Sequence, residues 1–248
     1  MDVLHMTEDA LEAKCVEWRR WFHEHPEVST EEKNTSEKIF GILKELGLDP
    51  VRGQGHYGVA ATIQGGKTGP MVALRADMDA LSVREDTGLP YASQNPGVMH
   101  ACGHDIHMTT LLETILRLLR RKDEIQGSVR VLFQPSEELS PTGGARYMMK
   151  DGFLKDVKAV FGLHVWPNFV CGQIGVKEGA MMAGSDRIKV VIKGRTSHAG
   201  HPQEGIDAIM AAADFLQQVS HIVSRRVSPL ATATINIGTI HGGSRYNV

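Results

Sequence analysis

Short apolar segments alternate with amphipathic segments through the first 184 residues, and this alternation most constrains the fold. Apolar residues recur at helical spacing around Leu11, Trp18 and Phe22, and again from Leu111 to Leu119. Apolar runs of strand length occupy residues 58–63, 71–77, 128–134 and 159–165. Short apolar strands separated by helices predict an α/β domain with a largely parallel sheet that is covered by helices.

A second amphipathic segment follows the first and carries its own start and stop signals. Ser29 stands three residues before Glu32, which predicts a capping box at the amino terminus of a helix. Ile39 and Leu43 share one face of this helix, and Gly47 predicts its end.

The pattern changes near Gly184. The segment RIKVVIKG from Arg187 alternates apolar and basic residues, as expected for a strand in a sheet with one wet face. A helix is predicted over residues 205–224, and a strand is predicted in ATATINIGTI from Ala231. We therefore predict two domains, at residues 1–184 and 185–248.

Charge and cysteine content exclude several classes of protein. Lys and Arg number 27 against 29 Asp and Glu, so nucleic acid and anionic membrane surfaces are poor candidate partners. No apolar run approaches the roughly 18 residues of a membrane span, and no signal peptide is predicted. The three cysteines are distant from one another and odd in number, which favours a reducing, cytoplasmic environment over a disulfide framework.

Polar residues with metal-binding or acid–base chemistry follow the apolar runs. Ligands of open α/β sheets bind beyond the carboxyl ends of the strands, so these positions are the first candidates for a site. They include an acidic pair after MVAL, a histidine-rich segment before the leucine-rich helix, a glutamate pair after VRVLF, and a histidine after VFGL. The residues are Asp77 and Asp79; His100, Cys102, His104, Asp105 and His107; Glu137 and Glu138; and His164.

Each of these positions alone also has a structural explanation. Aspartates at a strand end can form turns or helix caps, and a single cysteine is often a buried apolar residue. Adjacent glutamates usually form a solvated face, and a lone histidine between apolar residues is usually a hydrogen-bonded core residue. Their occurrence together at successive strand ends instead favours a metal site. Thiolate, imidazole and carboxylate ligands suit Zn, Mn, Co or Ni.

Hydrolysis of an amide explains why these residue types occur together. A metal ion lowers the pKa of bound water toward about 7, and a second ion about 3.5–4 Å away can polarise the carbonyl. One carboxylate must remain free to accept the proton of the water, so a glutamate pair offers one ligand and one base. Asp77 or Asp79 can orient a metal-binding histidine through its second ring nitrogen.

Five motifs resemble the amidohydrolase branch of the M20 metallopeptidases over nearly the whole chain. They are RADMDAL from Arg75, MHACGHDIH from Met99, FQPSEE from Phe133, GLHVWP from Gly162 and SHAGHPQEGIDAI from Ser197. The resemblance implies hydrolysis of N-acyl amino acids with two divalent metal ions per full-length subunit. It assigns Cys102, His104, Glu138 and His164 as metal ligands and Glu137 as the general base.

The second domain resembles the smaller ferredoxin-like lid of this family, which is incomplete here and which implies a homodimer. By resemblance His198 binds the substrate carboxylate or the oxyanion, and Asn247 contacts substrate. The residues alone would leave His198 and His201 as surface histidines. The loop LSPTGGA after the glutamates is longer and more polar than the family's usual turn. The family's downstream histidine ligand has no counterpart in the 248 residues, so we expect this chain alone to be poorly active or inactive.

Three other hypotheses remain. The first is a metal-binding fragment without turnover, and the second is a dipeptidase of the same superfamily, which the RAD motif at Arg75 disfavours. The third is a cysteine hydrolase with Cys102 as nucleophile and His104 or His107 as its base, which would need no metal.

Overall fold

The computed structural model describes residues 5–139 and 142–247 of the chain. Two compact units divide it, Met1–Arg187 and Ile188–Val248. Ser140 and Pro141, in the loop singled out after the glutamate pair, lie outside the described residues. Among the described helices, none combines the length and the apolar character that crossing a membrane requires.

The first unit alternates helices and strands as the sequence predicts. Its helices are α1 (Glu8–Glu24), α2 (Lys33–Glu45), α3 (His104–Arg120) and α4 (Ala145–Lys150). Its strands are β1 (Val51–Arg52), β2 (Val59–Gln64), β3 (Lys67–Asp77), β4 (Gln126–Gln134) and β5 (Val157–Gly162).

The five strands form one sheet in the order β1-β2-β4-β3-β5. Strand β3 runs parallel to both of its neighbours, β4 and β5, whereas β2 runs antiparallel to β4 and to β1. Four of the five strands therefore point the same way, which confirms the predicted α/β fold with a largely parallel sheet.

A glycine turn explains how β2 and β3 can be consecutive in the chain and yet lie on opposite sides of β4. The turn at Gly65 crosses the start of β4 at close range. A Cβ atom at Gly65 would lie 2.4 Å from the carbonyl oxygens of both Ile125 and Gly127. Only glycine permits this approach, and it lets β4 insert between the two strands.

The main hydrophobic core lies between the sheet and helices α1, α2 and α3. Its largest fully buried side chains include Phe22, Ile39, Leu112 and Phe133. Each such side chain stabilises the fold by about 1.5–3 kcal/mol relative to exposure. A smaller cluster around Leu132 and Met148 covers the other face. The sheet is thus fixed from both sides, and its strand ends have defined positions.

The predicted capping box at Ser29 and Glu32 is wrong. Glu32 makes no side-chain bond to the helix end, and Ser29 Oγ donates to Asp79 Oδ2 at 2.7 Å. The carboxylate of Glu27 caps α2 instead, accepting from the main-chain N–H groups of Asn34 (3.1 Å) and Thr35 (2.8 Å). A carboxylate from outside the helix satisfies these orphan donors and favours the positive end of the helix dipole.

The second unit contains helix α5, Ala208–Arg226, which Asp207 caps by accepting from the N–H groups of Ile209 and Met210. The two strands predicted here, at 187–193 and 231–240, are wrong. Within described residues 188–247 the β-type pairing is a single bridge between Arg195 and Ile206. Strands need hydrogen-bonded partners, and the apolar face of the first segment is exposed, with Ile188 83% accessible. The described residues of the second unit therefore do not form the sheet that the predicted lid requires.

Candidate metal centre

Three strand ends and one helix start meet at a single edge of the sheet. The pairing places Asp77, the last residue of β3, beside Gln134, the last residue of β4, and aligns Arg75 with Gly162 at the end of β5. The predicted site residues of the first unit follow these ends or open α3. This arrangement brings together Cys102, His104, Glu137, Glu138 and His164, as predicted from their positions in the sequence.

These side chains form two overlapping groups of metal-binding atoms. Cys102, His104 and His164 offer atoms that all lie within 4.8 Å of one another, as do His104, Glu137 and Glu138. The Sγ atom of Cys102 is 3.4 Å from His164 Nε2, and His104 Nε2 is 3.7 Å from Glu138 Oε1. His104 therefore belongs to both groups and links the sulfur of Cys102 to the carboxylates of Glu137 and Glu138.

Two buried atoms in this cluster lack a hydrogen-bond partner. They are Nε2 of His104 and Oε1 of Glu138. A buried polar atom without a partner costs about 1–3 kcal/mol, and a bound cation would satisfy both atoms. Sulfur, imidazole nitrogen and carboxylate oxygen together suit a transition metal or zinc ion. The residues present therefore fit a divalent metal.

The orientation of His104 is set by Asp79. Its Nδ1 atom donates to the main-chain oxygen of Asp79 at 2.8 Å, which leaves the Nε2 lone pair for a ligand. Burial opposes a proton on this ring, but the Asp79 hydrogen bond and nearby carboxylates raise the pKa of His104 overall. Orientation through the second ring nitrogen matches the predicted role of Asp79, although the main-chain oxygen makes the shorter contact.

The carboxylate of Asp79 holds the glutamate pair. It accepts from the main-chain N–H groups of Glu137 and Glu138, each at 3.0 Å, and from the hydroxyl of Ser29. Burial alone would raise the pKa of Asp79, but hydrogen bonds from His104, Ser29 and the two N–H groups lower it. The two glutamates thus have a fixed backbone beside His104.

The turn that precedes the glutamates is held by Glu32, the residue just before helix α2. Ser136 adopts a positive φ of 53°, and Glu32 accepts from both its main-chain N–H (2.6 Å) and its hydroxyl (3.0 Å). Thr30 donates its main-chain N–H to the same hydroxyl. The strained turn is therefore over-determined by its surroundings, as strained positions at functional sites usually are.

Asp77 orients His107 rather than one of the predicted ligands. Its Oδ1 lies 2.5 Å from His107 Nδ1, and its Oδ2 accepts from Arg75 Nη1 at 2.6 Å. Burial would raise the pKa of Asp77, but the His107 hydrogen bond and the Arg75 charge lower it. Sequence reasoning missed this role of His107. Its spacing of three residues from His104, on one helix face, was the available signal.

The pKa values of Glu137 and Cys102 are also raised. Partial burial and the neighbouring carboxylates of Asp77 and Glu138 raise the pKa of Glu137, the direction that favours a proton acceptor. Burial and the adjacent Glu138 raise the pKa of the Cys102 thiol to about 12. A nucleophilic cysteine needs a lowered pKa, so this environment disfavours the cysteine hydrolase hypothesis.

The remaining predicted site residues belong to the second unit. His198 is exposed, its Nδ1 accepts from the Gly200 N–H at 3.0 Å, and its ring lies 5.8 Å from that of His201. Asn247 is also exposed. Their substrate contacts stay predictions.

Residues 73–242 match the family described as Peptidase family M20/M25/M40. This match covers more than half of the chain. The chain belongs to the M20/M25/M40 peptidase family. This family agrees with the resemblance predicted from the motifs.

Several relatives are named as deacetylases or amidohydrolases, in agreement with the resemblance predicted from the motifs. An N-acetylcysteine deacetylase of Bacillus subtilis is 42% identical over 98% of this chain and 64% of its own length. An N-acyl-L-amino acid amidohydrolase of Geobacillus stearothermophilus is 39% identical over 97% of this chain and 65% of its own length. The chain thus spans slightly less than two thirds of each relative.

A solved structure supports the fold. A dinuclear metal binding peptidase of the M20 family from Bacillus subtilis has 42% identity and a TM-score of 0.66. The alignment covers 69% of this chain and 48% of that protein.

Proposed function

We propose that this chain carries the metal centre of a hydrolase that cleaves the amide bond of N-acyl amino acids. The observation that carries the proposal is a pair of overlapping groups that share His104: Cys102, His104 and His164 in one, and His104, Glu137 and Glu138 in the other. Asp79 fixes the backbone of both glutamates, so one carboxylate can bind metal while the other remains free.

Cys102, His104, Glu138 and His164 would hold the metal, with two divalent ions per full-length subunit drawn from Zn, Mn, Co and Ni. When bound, such ions activate water at neutral pH and polarise the amide carbonyl. The free Nε2 of His104 and the unpartnered Oε1 of Glu138 support their assignment as ligands.

Glu137 is the proposed general base. Its carboxylate accepts a proton from the attacking water and delivers it to the leaving nitrogen as the carbon–nitrogen bond breaks. Partial burial and the charge of Asp77 raise the pKa of Glu137, which is the direction that favours proton acceptance by this carboxylate. The negative charge of Asp77 contributes to the raised pKa of Glu137, whereas the positive charge of Arg75 opposes it.

The proposed substrates are small N-acyl amino acids such as hippurate or N-acetyl amino acids. The names of the deacetylase and the amidohydrolase relatives support this class. His198 and Asn247 are proposed to contact the substrate or the oxyanion. Residues 185–248 are proposed to form a lid and a homodimer interface. The proposed location is the cytoplasm. The substrate contacts, the lid and the homodimer rest on the family resemblance, whereas the location rests on the three distant cysteines.

The test uses metal-depleted chain reconstituted separately with Zn, Mn, Co and Ni. Bound metal is counted, and release of free amino acid is measured from hippurate, N-acetyl amino acids, N-acetyl-diaminopimelate and a dipeptide. We expect slow hydrolysis of an N-acyl amino acid, in keeping with the low activity expected from the sequence, and this hydrolysis should require metal and disappear in Glu137→Gln. Preferred cleavage of the dipeptide would instead support the dipeptidase. Full metal binding without hydrolysis would support a metal-binding module, and absence of metal binding would overturn both.

A further inference from the structure

Val165, the residue after the proposed ligand His164, is held at three points. Its N–H donates to His107 Nε2 at 2.9 Å, and its carbonyl accepts from His164 Nδ1 at 2.6 Å. Its side chain lies against Gly103, where an added Cβ would come within 2.4 Å of Val165 Cγ2. Val165 therefore joins the loop after β5 to the segment that carries Cys102 and His104.

The hydrogen bonds of His107 determine its tautomer. Nε2 faces the N–H of Val165, which can only donate, so Nε2 must present its lone pair. The ring proton is therefore on Nδ1, which donates to the carboxylate of Asp77 at 2.5 Å. His107 is 2% accessible, so solvent does not compete for either nitrogen.

This tautomer argues against His107 as a metal ligand. Asp77, His104 and His107 do form a third group with metal-binding spacing. However, both ring nitrogens of His107 already have partners, and the oxygens of Asp77 are bonded to His107 and Arg75. An ion here would have to displace three short buried contacts.

The same bonds fix the direction of His164. Because the Val165 carbonyl accepts from His164 Nδ1, the ring presents Nε2 toward Cys102 Sγ, 3.4 Å away. The position of that carbonyl depends on the Val165 peptide segment, whose N–H is held by His107. His164 itself is exposed, and its ring also contacts the rings of His107 (centroids 4.7 Å apart) and Trp166 (5.8 Å) edge to face.

We propose that His107 is a positioning residue that holds His164 in its metal-binding orientation by accepting the N–H of Val165. The inference rests on the proposed function, because it takes His164 as a ligand. Partners that orient metal ligands commonly contribute about 10–100-fold to metal affinity. His107 should contribute on this scale without touching the ion.

Two substitutions separate the two hydrogen bonds of His107. In His107→Asn the amide can still donate to Asp77, but the side chain is too short to reach the Val165 N–H. In His107→Gln the longer side chain can place its oxygen near the position of Nε2 and accept from Val165. Co²⁺ affinity is measured on the 248-residue chain through the thiolate-to-cobalt absorption of Cys102, with His164→Ala as the reference for a lost ligand.

We expect His107→Asn to bind Co²⁺ about 10–100-fold more weakly than wild type, and His107→Gln to recover most of that loss. Wild-type affinity in His107→Asn, with weak binding in His164→Ala, would overturn the inference and leave the proposed function intact. Equal losses in His107→Asn and His107→Gln would also overturn it. Wild-type affinity in His164→Ala would overturn both the ligand assignment and the inference.

A measurement on the unmodified protein covers the case in which a variant does not fold. Nitrogen-15 NMR of the histidine rings reports which nitrogen carries the proton. We expect the Nδ1–H tautomer for His107 and slow exchange of the Val165 amide proton. The Nε2–H tautomer would overturn the inference, because Nε2 could not then accept from Val165.

Discussion

The carboxylate of Asp79 accepts the main-chain N–H of Glu137 at 3.0 Å, although the two residues are 58 positions apart. Asp79 follows β3 and Glu137 follows β4, so the bond spans two adjacent strand ends of the sheet. It fixes the backbone of the proposed base without using the base's own carboxylate. The side chain of Glu137 thereby remains available for proton transfer.

Replacing Glu137 with glutamine removes the base and keeps a side chain of similar size. We expect turnover to fall by about 10²–10⁴-fold, with metal content unchanged, because the ligands are retained. Hydrolysis and bound metal are measured on the same preparation. The control is Glu45→Gln, at an exposed position of helix α2. Loss of a general base typically lowers the rate by at least about 100-fold. If Glu137→Gln kept more than about a tenth of wild-type activity, Glu137 would not be the base.

Glu138→Ala and His164→Ala each remove a proposed ligand. Their main effect should be lost metal, with turnover falling in proportion to occupancy. Metal analysis after gel filtration measures this, and His221→Ala on exposed α5 serves as the matched histidine control. Full metal occupancy in both variants would show that the ligand assignment is wrong.

Metal binding should release the proton of Cys102. The metal-free thiol has a pKa of about 12, so it is protonated at every pH below that value, whereas a metal binds the thiolate. The contribution of Cys102 to the logarithm of metal affinity should rise by about one per pH unit from pH 6 to 9. Metal titrations at several pH values measure how steeply the logarithm of metal affinity rises with pH. Cys102→Ser should make this rise less steep than in wild type. The same slope in both proteins would argue against a thiolate ligand.

Asp79→Asn should destabilise the protein and reduce turnover. The carboxylate of Asp79 accepts hydrogen bonds through both oxygens, whereas the amide of asparagine has only one oxygen and must lose some of them. Each hydrogen bond to a buried charge contributes about 1.5–3 kcal/mol. The pKa of Asp79 is lowered in the folded protein, so its contribution is present above the unfolded pKa and is lost as pH falls through the folded value. Urea unfolding of metal-free protein should show a wild-type advantage that shrinks as the pH falls below the unfolded-state pKa of about 3.9. An advantage that does not shrink at any lower pH would contradict this.

Gly103→Ala should weaken metal binding more than Gly97→Ala does. Both glycines have positive φ, 84° and 80°, so both substitutions carry the same backbone cost. A Cβ at Gly103 also collides with Val165, whereas nothing lies within 4 Å of a Cβ at Gly97. Metal affinity of the two variants gives the comparison, and equal affinities would show that contact with Val165 does not affect the centre.

The sequence predicted helices α1 to α3 and strands β2 to β5 of the first unit, because their apolar residues recur at helical or strand spacing. It also predicted that Cys102, His104, Glu138 and His164 would meet, because parallel strands end at one edge. The reversed direction of β2 carries no such signal. It depends on the glycine turn at Gly65 and on the insertion of β4, which are properties of the assembled sheet.

Contacts between side chains and distant backbone could not be predicted. Glu27 rather than Ser29 caps α2, and Asp77 binds His107 rather than a proposed ligand. Both depend on three-dimensional positions that periodicity does not encode. In the second unit, alternation predicted strands from Arg187 that do not form, because alternation indicates a suitable face but does not supply a hydrogen-bonding partner.

The bond between His104 Nδ1 and the Asp79 carbonyl has a consequence for how the centre fills. It leaves His104 one lone pair, so His104 would hold only one of two ions, and the other ion would depend on the remaining donors of Cys102, Glu138 and His164. The first ion to occupy the imidazole leaves a poorer set of donors for the second. The two stepwise binding constants should therefore differ widely, and a half-loaded form should dominate at intermediate metal concentrations.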